Sequence, residues 1–392
     1  NKILNIFFMN FLKKIIILLI FLFPISHSFG EANLTHVQTV EFDDGEQNQN
    51  NLIAGIEFNK DGTKLFTSSA NKIDSKFRLM EFNLSTPYDI SSRSYAGDGE
   101  RCTMDEVTLT PYDLEFNLDG TKLFVATRSA TTGPDKDKLV RYDLTTPYDI
   151  STCQFAQQTT NLDSADNLNN SAAGNFTDGA GHSNVRLQGI EFNNKGTKLF
   201  LSWFGNGDTV KLLEYTLSTP YDITSLQLVT TAGIDVGSST AAKVDNSAGM
   251  RFSANGKRIF IISHSGNSGI SQISLTNAFD TSSFVLDGKV DLHNATPSNG
   301  QARGVAFNSS GLKLYIGNDH NDGDVDEIME YNLVCPFTIF AETCPSITEN
   351  SDRTGMAEAQ VELAKRTINF STNSALNRLK WIRRNKDKQN LS

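Results

Sequence analysis

Oxygen-bearing side chains are concentrated in one short segment near the end of the chain, the run NDHNDGDVDE at residues 318–327. Carboxylate and amide oxygens suit Ca²⁺, which takes about six to eight of them. The order differs from an EF-hand loop, because Asp324 stands where that loop needs its glycine. The segment is therefore interpreted as a calcium site or as a solvated acidic hairpin. Its candidate ligands are Asp319, Asn321, Asp322, Asp324 and Asp326.

Aromatic and imidazole side chains form a second set of candidates. An exposed Trp203, with Phe204 beside it, would contact a sugar or a peptide, whereas the alternative is that Trp203 packs beneath a long loop. Histidines bind a metal only where they converge, and three of them are widely spaced in the chain. The sequence favours surface polar residues over a shared metal site for these three. They are His182, His264 and His320.

A glutamate recurs at one position of a repeated segment, and Arg251 and Ala306 replace it in the last two copies. Buried carboxylates need partners, and a lysine follows each glutamate by seven residues. The pattern predicts a structural ion pair within each copy, with a cation in a central channel as the alternative. The glutamates are Glu57, Glu115 and Glu191, and the lysines are Lys64, Lys122 and Lys198.

Five copies of one unit supply the elements that position these residues. The copies begin 58, 76, 60 and 55 residues apart, and a glycine follows each start by seven residues. A glycine at a fixed place is typical of a hairpin turn that needs the left-handed backbone region. The copies are GIEFNKDGTKLF from Gly55, DLEFNLDGTKLF from Asp113, GIEFNNKGTKLF from Gly189, GMRFSANGKRIF from Gly249 and GVAFNSSGLKLY from Gly304.

Alternating apolar residues predict a first and a second strand in each copy. A third strand such as LMEFNL follows, then a corner such as STPYDI, where proline fixes φ and aspartate accepts backbone N–H groups, and then a fourth strand. This pattern predicts an all-β fold, a β-propeller of five four-stranded antiparallel blades. The last copy lacks a clear fourth strand, so residues 35–42 are predicted to complete its blade and close the ring.

The repeated units resemble F-x-x-D-G-T-K-[LM]-[FY] and Y-D-L-S-T-[PA]-[YF]-D-I-S-T of WD-repeat-like propellers in exported proteins of marine bacteria. This resemblance covers residues 33–345 and implies architecture only, because propeller families share no single function. The final stretch ALNRLKWIRRNKDKQNLS resembles the segment before the translocator barrel of some autotransporters of marine bacteria, in which a propeller is the passenger. It implies an outer-membrane barrel encoded beyond Ser392, and a solvated tail is the alternative.

Both ends of the chain differ from the repeats. Lys13 and Lys14 precede the apolar run 15–23, a pattern typical of a secretory signal peptide that begins at Met9. Residues 1–30 are therefore assigned to upstream sequence and signal peptide, and residues 33–345 to the propeller. Residues 346–392 are predicted to be a linker and a basic tail with two amphipathic helical pieces.

The four cysteines of a chain that leaves the cytoplasm are expected to pair. Cys335 with Cys344 closes a short loop at the end of the last repeat and is the preferred pair. Cys102 with Cys153 would then join equivalent outer segments of neighbouring repeats. Free thiols and the two other connectivities are the alternatives.

The loops of the predicted propeller distinguish its two faces. The turns between first and second strands and between third and fourth strands are nearly identical in the well-kept copies, and both lie on one face, here called the turn face. The other connections vary, and the one between residues 150 and 189 is the longest. We call their side the irregular face. Binding surfaces tend to be carried by variable loops on a rigid frame, so the irregular face is the predicted binding surface.

Charge and missing motifs narrow the function. Residues 31–354 carry 24 Lys and Arg against 42 Asp and Glu, which argues against a nucleic-acid partner. No G-x-S-x-G, H-E-x-x-H or G-x-x-x-x-G-K-[ST] motif is present. The sequence predicts an exported, non-enzymatic binding or display module for a glycan, peptide or surface ligand, with no cofactor other than the calcium considered above. The alternative is a periplasmic or secreted hydrolase or lyase with a metal-dependent site on the irregular face. The expected location is the cell surface, outer membrane or medium, with the periplasm as the alternative.

Overall fold

β-strands make up nearly all the regular structure in the computed structural model of this protein. The structure describes residues 32–42, 53–69, 76–105, 109–128, 137–160, 162, 185–205, 209–237, 244, 246–264, 268–292, 301–319, 326–340 and 344. The predicted signal peptide and basic tail lie outside these ranges. None of the helical turns within them has the length and hydrophobicity to cross a membrane.

Five blades of four antiparallel strands form a propeller, as the repeats predict. The first strand, β1 (Leu34–Glu41), belongs to blade 5. Blade 1 contains β2 (Ile53–Phe58), β3 (Lys64–Ser69), β4 (Arg78–Leu84) and β5 (Arg93–Tyr95), with the short β6 (Cys102–Thr103) also beside β4. Blade 2 contains β7 (Thr110–Phe116), β8 (Lys122–Arg128), β9 (Lys138–Leu144) and β10 (Cys153–Gln158). Blade 3 contains β11 (Arg186–Phe192), β12 (Lys198–Gly205), β13 (Thr209–Leu217) and β14 (Leu226–Asp235). Blade 4 contains β15 (Ser247–Phe252), β16 (Arg258–Ser263), β17 (Gly269–Leu275) and β18 (Phe284–Asp291). Blade 5 adds β19 (Gln301–Phe307), β20 (Lys313–Asp319) and β21 (Glu327–Leu333) to β1.

Strand β1 closes the ring by pairing with the last strand of the chain. It runs antiparallel to β21, from Leu34 opposite Leu333 to Glu41 opposite Glu327. Phe42 follows it into the core between blades 5 and 1. The prediction that an N-terminal strand completes the fifth blade is confirmed.

A glycine and a corner aromatic residue interlock in every blade. In blade 1, Gly62 has a φ of 73° and Tyr88 a φ of 59°, both in the left-handed region. The Tyr88 ring covers Gly62 so closely that a β-carbon there would lie 2.3 Å from it. Glycine is therefore required for its backbone freedom and for its missing side chain. The other pairs are Gly120 with Tyr148, Gly196 with Tyr221, Gly256 with Phe279, and Gly311 with Phe337.

The repeated lysines bind carboxylates of the third strands. Lys64 Nζ lies 2.6 Å from Glu81 Oε1 and also donates to the carbonyl oxygen of Tyr148 in the next blade. Lys64 is paired with Asn83, so Glu81 is its diagonal neighbour on the same face of the sheet, within reach of a long side chain. The predicted ion pairs between these lysines and the first-strand glutamates are therefore wrong. The corresponding partners are Asp143 for Lys122, Glu214 for Lys198 and Glu330 for Lys313.

Both predicted disulfides are present. Cys102 is bonded to Cys153, which joins β6 of blade 1 to the start of β10 in blade 2. Cys335 is bonded to Cys344, which closes a short loop after β21. Disulfides persist in oxidising compartments, so this pairing supports an exported environment.

We expect the inter-blade disulfide to contribute more stability than the local one. A bond restricts the unfolded chain more as the loop it closes grows, and the sequence separations are 51 and 9 residues. Replacing Cys102 and Cys153 together by serine should lower the free energy of unfolding by about 4 kcal/mol, and the same change at Cys335 and Cys344 by about 2.5 kcal/mol. Urea denaturation of the two double variants measures both. Equal losses, or a larger loss for the local pair, would contradict the expectation.

Candidate functional site

Arg251, in β15 of blade 4, closes the central channel that the five first strands surround. Its Nη2 donates to the carbonyl oxygens of Ile56 in blade 1 and Leu114 in blade 2, both at 2.9 Å. Its Nη1 donates to the carbonyl oxygen of Met250 at 2.8 Å. One side chain thereby joins three blades across the axis. On the turn-face side it forms the floor of a cavity.

Four carboxylates surround the Arg251 guanidinium. Glu57 Oε2 lies 2.7 Å from Nη2, while Glu191 Oε2 and Asp113 Oδ2 lie 3.4 and 3.5 Å from Nη1. Glu115 accepts the N–H of Phe192 at 2.8 Å. The cation that the repeated glutamates need is therefore supplied by the chain itself. It comes from the copy in which arginine replaces the glutamate.

Burial changes the acid strength of this cluster. It raises the pKa of Asp113 to about 6, even though Arg251 and the N–H groups of Ile190 and Leu114 act in the opposite direction. Burial, and then the charge of Glu191, raise the pKa of Glu115 well above its ordinary value. Part of the carboxylate charge is thus removed by protonation near neutral pH.

A β-bulge interrupts each of the five first strands. In blade 2, Pro111 is opposite Thr127 and Asp113 is opposite Ala126, so Tyr112 is the extra residue. Bulges of this kind re-aim a side chain and are frequent beside active sites. The residues at the corresponding bulges are Ala54, Tyr112, Gln188, Ala248 and Arg303.

Two arginines lie over the Tyr112 ring, and a third, Arg186, is close enough to act on the charge of Arg128. The Arg128 guanidinium lies 3.7 Å from the centroid of the Tyr112 ring and donates to its hydroxyl, and Arg303 lies 5.9 Å from the same centroid. Burial lowers the pKa of Arg128, and the charges of Arg186 and Arg303 act in the same direction, against Tyr112 and Asp137. These guanidinium groups are therefore close enough to repel one another, which a bound anion would relieve.

His264 borders the same mouth, directly after β16. Its Nδ1 is buried and has no hydrogen-bond partner among the described residues. Burial, and then the positive charges of Arg303 and Arg128, lower the pKa of His264 to about 3. The imidazole is therefore neutral at neutral pH. We call Tyr112, Arg128, Arg186, His264 and Arg303 the irregular-face cup.

The side chains of the irregular-face cup suit an anion. Guanidinium groups form charge-assisted, often bidentate hydrogen bonds to carboxylate, sulfate and phosphate groups. Tyr112 adds an aromatic face and a hydroxyl. Among the described residues no group of three acidic, histidine or cysteine side chains could hold a metal ion.

No protein-family profile and no curated protein matches this chain. Three solved structures that it is similar to are distant. A protein of Bacteroides uniformis provisionally assigned as a 6-phosphogluconolactonase is 12% identical, with 74% of this chain and 70% of that chain covered and a TM-score of 0.39. The periplasmic gluconolactonase of Pseudomonas aeruginosa is 14% identical, with coverages of 73% and 76% and a TM-score of 0.40. The β-propeller domain of Cps50 (Swd1) from Myceliophteria thermophila is 10% identical, with coverages of 77% and 100% and a TM-score of 0.36. Similarity at this level identifies neither a ligand nor a reaction.

The two aromatic candidates differ in burial. Trp203 is fully buried in a core cluster with Leu162, Val185 and Leu187, beside the long connection between blades 2 and 3. Phe204 is half-buried against the core of blades 3 and 4. The Trp203 indole therefore has no exposed face with which to contact a sugar or a peptide, and the long loop that was expected to cover it lies outside the described residues.

Only some of the histidines and calcium candidates lie within the described residues. His264 joins the irregular-face cup, whereas His182 and His320 lie outside the described residues. Of the calcium candidates, Asp326 is the one whose side chain is described, and its Oδ2 accepts the N–H of Ile53 in blade 1 at 2.5 Å. That contact gives Asp326 a structural role between blades. The side chains of Asp319, Asn321, Asp322 and Asp324 lie outside the described set, and the calcium site stays a prediction.

The arginines and the tyrosine of the irregular-face cup were not among the residues predicted from the sequence. One signal for two of them is present in the repeats. The residue before the repeat start is Ala54 and Ala248 in two copies, but Tyr112 and Arg303 in two others. A comparison of copies at the position just before the repeated segment would have found both.

Proposed function

We propose that this chain is an exported binding module whose irregular-face cup holds an anionic group of a glycan, a peptide or another surface ligand. The observation that supports it is that Arg128 and Arg303 lie over the Tyr112 ring, while the charge of Arg186 acts on Arg128. This positive cup lies in a stretch of chain, residues 31–354, with 18 more acidic than basic residues. A local positive site on an acidic protein gives selectivity, because the remaining surface repels anions that do not reach the cup.

The proposed setting is the cell surface, with the periplasm as the alternative. The two disulfides support an oxidising compartment. The resemblance of the basic tail to an autotransporter junction adds an outer-membrane translocator barrel as a proposed partner. In that setting the propeller is a displayed passenger, and its ligand is part of a neighbouring cell, a matrix or a nutrient.

A second candidate function is a hydrolase or lyase that acts on the same anionic ligand. The observation in its favour is His264, because a neutral imidazole with a buried Nδ1 beside arginines is an arrangement that can accept a proton. Its depressed pKa makes it a poor general base near pH 7, where a base with a pKa close to the operating pH works best. Binding is therefore the better supported function.

We expect acidic glycans, those that carry uronate or sulfate groups, to bind the full chain in preference to neutral glycans on an array. For the best ligand, Arg303→Gln should weaken binding by at least about tenfold, because it removes one charge-assisted contact. Arg141→Gln is the matched control, since Arg141 lies outside the cup and pairs with Asp143. Calorimetry gives the dissociation constants.

The pH and salt dependence of affinity tests the binding proposal, and a substrate assay separates it from the enzyme alternative. Affinity should be constant between pH 5 and 8, because His264 titrates at about 3 and stays neutral throughout that range. It should also weaken as salt rises, as expected for a charge-dominated contact. Absence of binding to every acidic glycan would contradict the proposal, and hydrolysis or elimination of lactone, ester or uronate substrates would favour the enzyme instead.

A further inference from the structure

The cup on the turn face is a cavity of about 600 Å³ that ends at Arg251. Cavities of about 300–1,000 Å³ are typical of sites for small molecules. Arg251, Glu57, Glu115 and Glu191 form its floor, and it opens among the turns of the blades. We call this cavity the turn-face cup. Arg251 separates it from the irregular-face cup, so the two can be occupied independently.

Negative charge exceeds positive charge at the floor of the turn-face cup. Arg251 is the cation there, and of the carboxylates at the floor it faces Glu57 and Glu191. Glu57 is the carboxylate most open to the cavity, with 24% of its side chain exposed, against 1% for Glu191. At the rim, Lys60 and Asp61 offset each other. A cation that enters the cup is therefore attracted to its floor.

Aromatic rings form the walls. Phe58 and Phe116 come from the first strands of blades 1 and 2, and Phe307 from that of blade 5. Tyr88, Tyr148 and Phe337 come from the corners of the same three blades. The rings are packed against one another in tilted pairs, with Phe58 5.3 Å from Tyr88 and Phe307 5.1 Å from Phe337 between centroids. Aromatic faces within about 6 Å of a cation attract it through the ring quadrupole.

The hydrogen bonds already made at the floor decide which kind of cation fits. Glu57 and Glu191 are bound by Arg251, and Glu115 accepts the N–H of Phe192. A primary ammonium needs acceptors for three N–H groups, and a metal ion needs several carboxylate oxygens directed at one point. A quaternary ammonium has no N–H to satisfy. It needs only apolar or aromatic contact and a negative field, which are what this cavity offers.

From this geometry we propose that the turn-face cup binds a quaternary ammonium group. The methyl groups lie against the phenylalanine and tyrosine rings, and the positive charge lies above the carboxylates on the side of Glu57. This site is separate from the anion site proposed above, because Arg251 stands between them. The chain then recognises a cationic group on one face and an anionic group on the other.

Choline and its uncharged isostere 3,3-dimethyl-1-butanol form the matched pair of probes. They have the same shape and differ in charge, so calorimetry with the full chain isolates the electrostatic part of binding. We expect choline to bind at least about tenfold more tightly than the alcohol, in line with a desolvated cation–π contact. Phe307→Leu should remove most of that preference while leaving affinity for the alcohol nearly unchanged. Phe155→Leu, the same replacement on the outer strand of blade 2, should change neither.

Glu57→Gln tests the floor and should weaken choline binding by about tenfold. Its thermal unfolding is measured first, and if the variant is unfolded, the Phe307→Leu result decides. Arg303→Gln should leave choline binding unchanged, which keeps the outcome independent of the anion site. Equal affinity for choline and the alcohol, no binding of either by the folded protein, or an unchanged preference in Phe307→Leu would overturn the proposal.

Discussion

Replacing Arg251 by methionine should lower the free energy of unfolding by about 3–5 kcal/mol at neutral pH, one of the two largest losses that we expect of any change in this chain. The guanidinium is almost fully buried, and it donates to carbonyl groups of three blades and faces three carboxylates. Methionine fills a similar volume but leaves those charges uncompensated. Removing one member of a buried ionic cluster leaves the others uncompensated. The stability that is lost therefore exceeds the net contribution of the intact cluster to the free energy of unfolding.

The loss in Arg251→Met should depend on pH in a defined direction. The carboxyls of Asp113 and Glu115 have raised pKa values, so they keep their protons in the folded state to higher pH than in the unfolded chain. Protonation therefore favours the folded form, and the contribution of these groups to stability falls as pH rises from about 4 through about 6. Without Arg251 that fall should be steeper, so the variant is closest to wild type near pH 4.

Urea denaturation at pH 4, 5, 6 and 7 measures this dependence. Arg251→Lys keeps the charge but loses the bridging hydrogen bonds, and it should lie between wild type and Arg251→Met. Lys76→Met is the control on the surface, where the exposed pair with Asp105 is expected to contribute less than about 1 kcal/mol. A loss in Arg251→Met that is constant from pH 4 to 7 would show that the carboxylates do not depend on this residue.

Deleting residues 33–43 should destabilise the propeller by at least about 5 kcal/mol. The deletion removes β1, exposes the edge of β21, and takes Val40 and Phe42 out of the core between blades 5 and 1. Burial of two such side chains alone contributes about 3–6 kcal/mol. Thermal unfolding of the truncated chain is the measurement. A synthetic peptide with the sequence of residues 33–43 should restore part of the loss when it is added in excess.

A matched pair of substitutions on β1 tests the same contact without deleting it. Val40 is 9% exposed and Val37 is 45% exposed, so Val40→Ala should cost about 2 kcal/mol and Val37→Ala nearly nothing. Unchanged stability after the deletion would mean that the ring is closed by other contacts. Equal effects of the two alanine substitutions would place the strand outside the core.

Repeat structure made the architecture predictable from the sequence. The glycine seven residues after each repeat start, the proline–aspartate corner and the unpaired segment before the first copy predicted the hairpins, the blades and the closing strand. Each of these signals acts within a short stretch of chain and recurs in several copies. Short sequence patterns that recur in several copies predict structure reliably, because each copy repeats the same backbone requirement.

Side-chain contacts between strands were not predictable in the same way. Within blade 1, Lys64 was expected to pair with Glu57, but strand register places Glu81 diagonally beside it. Arg251 could be seen as a break in the glutamate pattern, yet nothing in the sequence shows that its side chain crosses to Ile56 and Leu114. The Lys64 contact depends on strand register within one blade. The Arg251 contacts depend on where the first strands of other blades lie around the axis.

The candidate site could not be predicted from the sequence because each first strand contains one extra residue, the bulge. A single-residue bulge changes which side chains face the channel mouth, and alternation along the strand gives no indication of it. Tyr112 and Arg303 therefore look like ordinary strand residues in the sequence. His264 was expected at the surface and is half-buried directly after β16, close enough to Arg303 and Arg128 to feel their charges.

The pairing of β1 with β21 also sets the order of events during synthesis. Leu34 leaves the ribosome first and meets Leu333, whose codon is translated about 300 positions later. At about 5–20 residues per second, the first strand waits roughly 15–60 s for its partner. During that time four blades can form in sequence, each from contiguous chain, while β1 remains an unpaired strand.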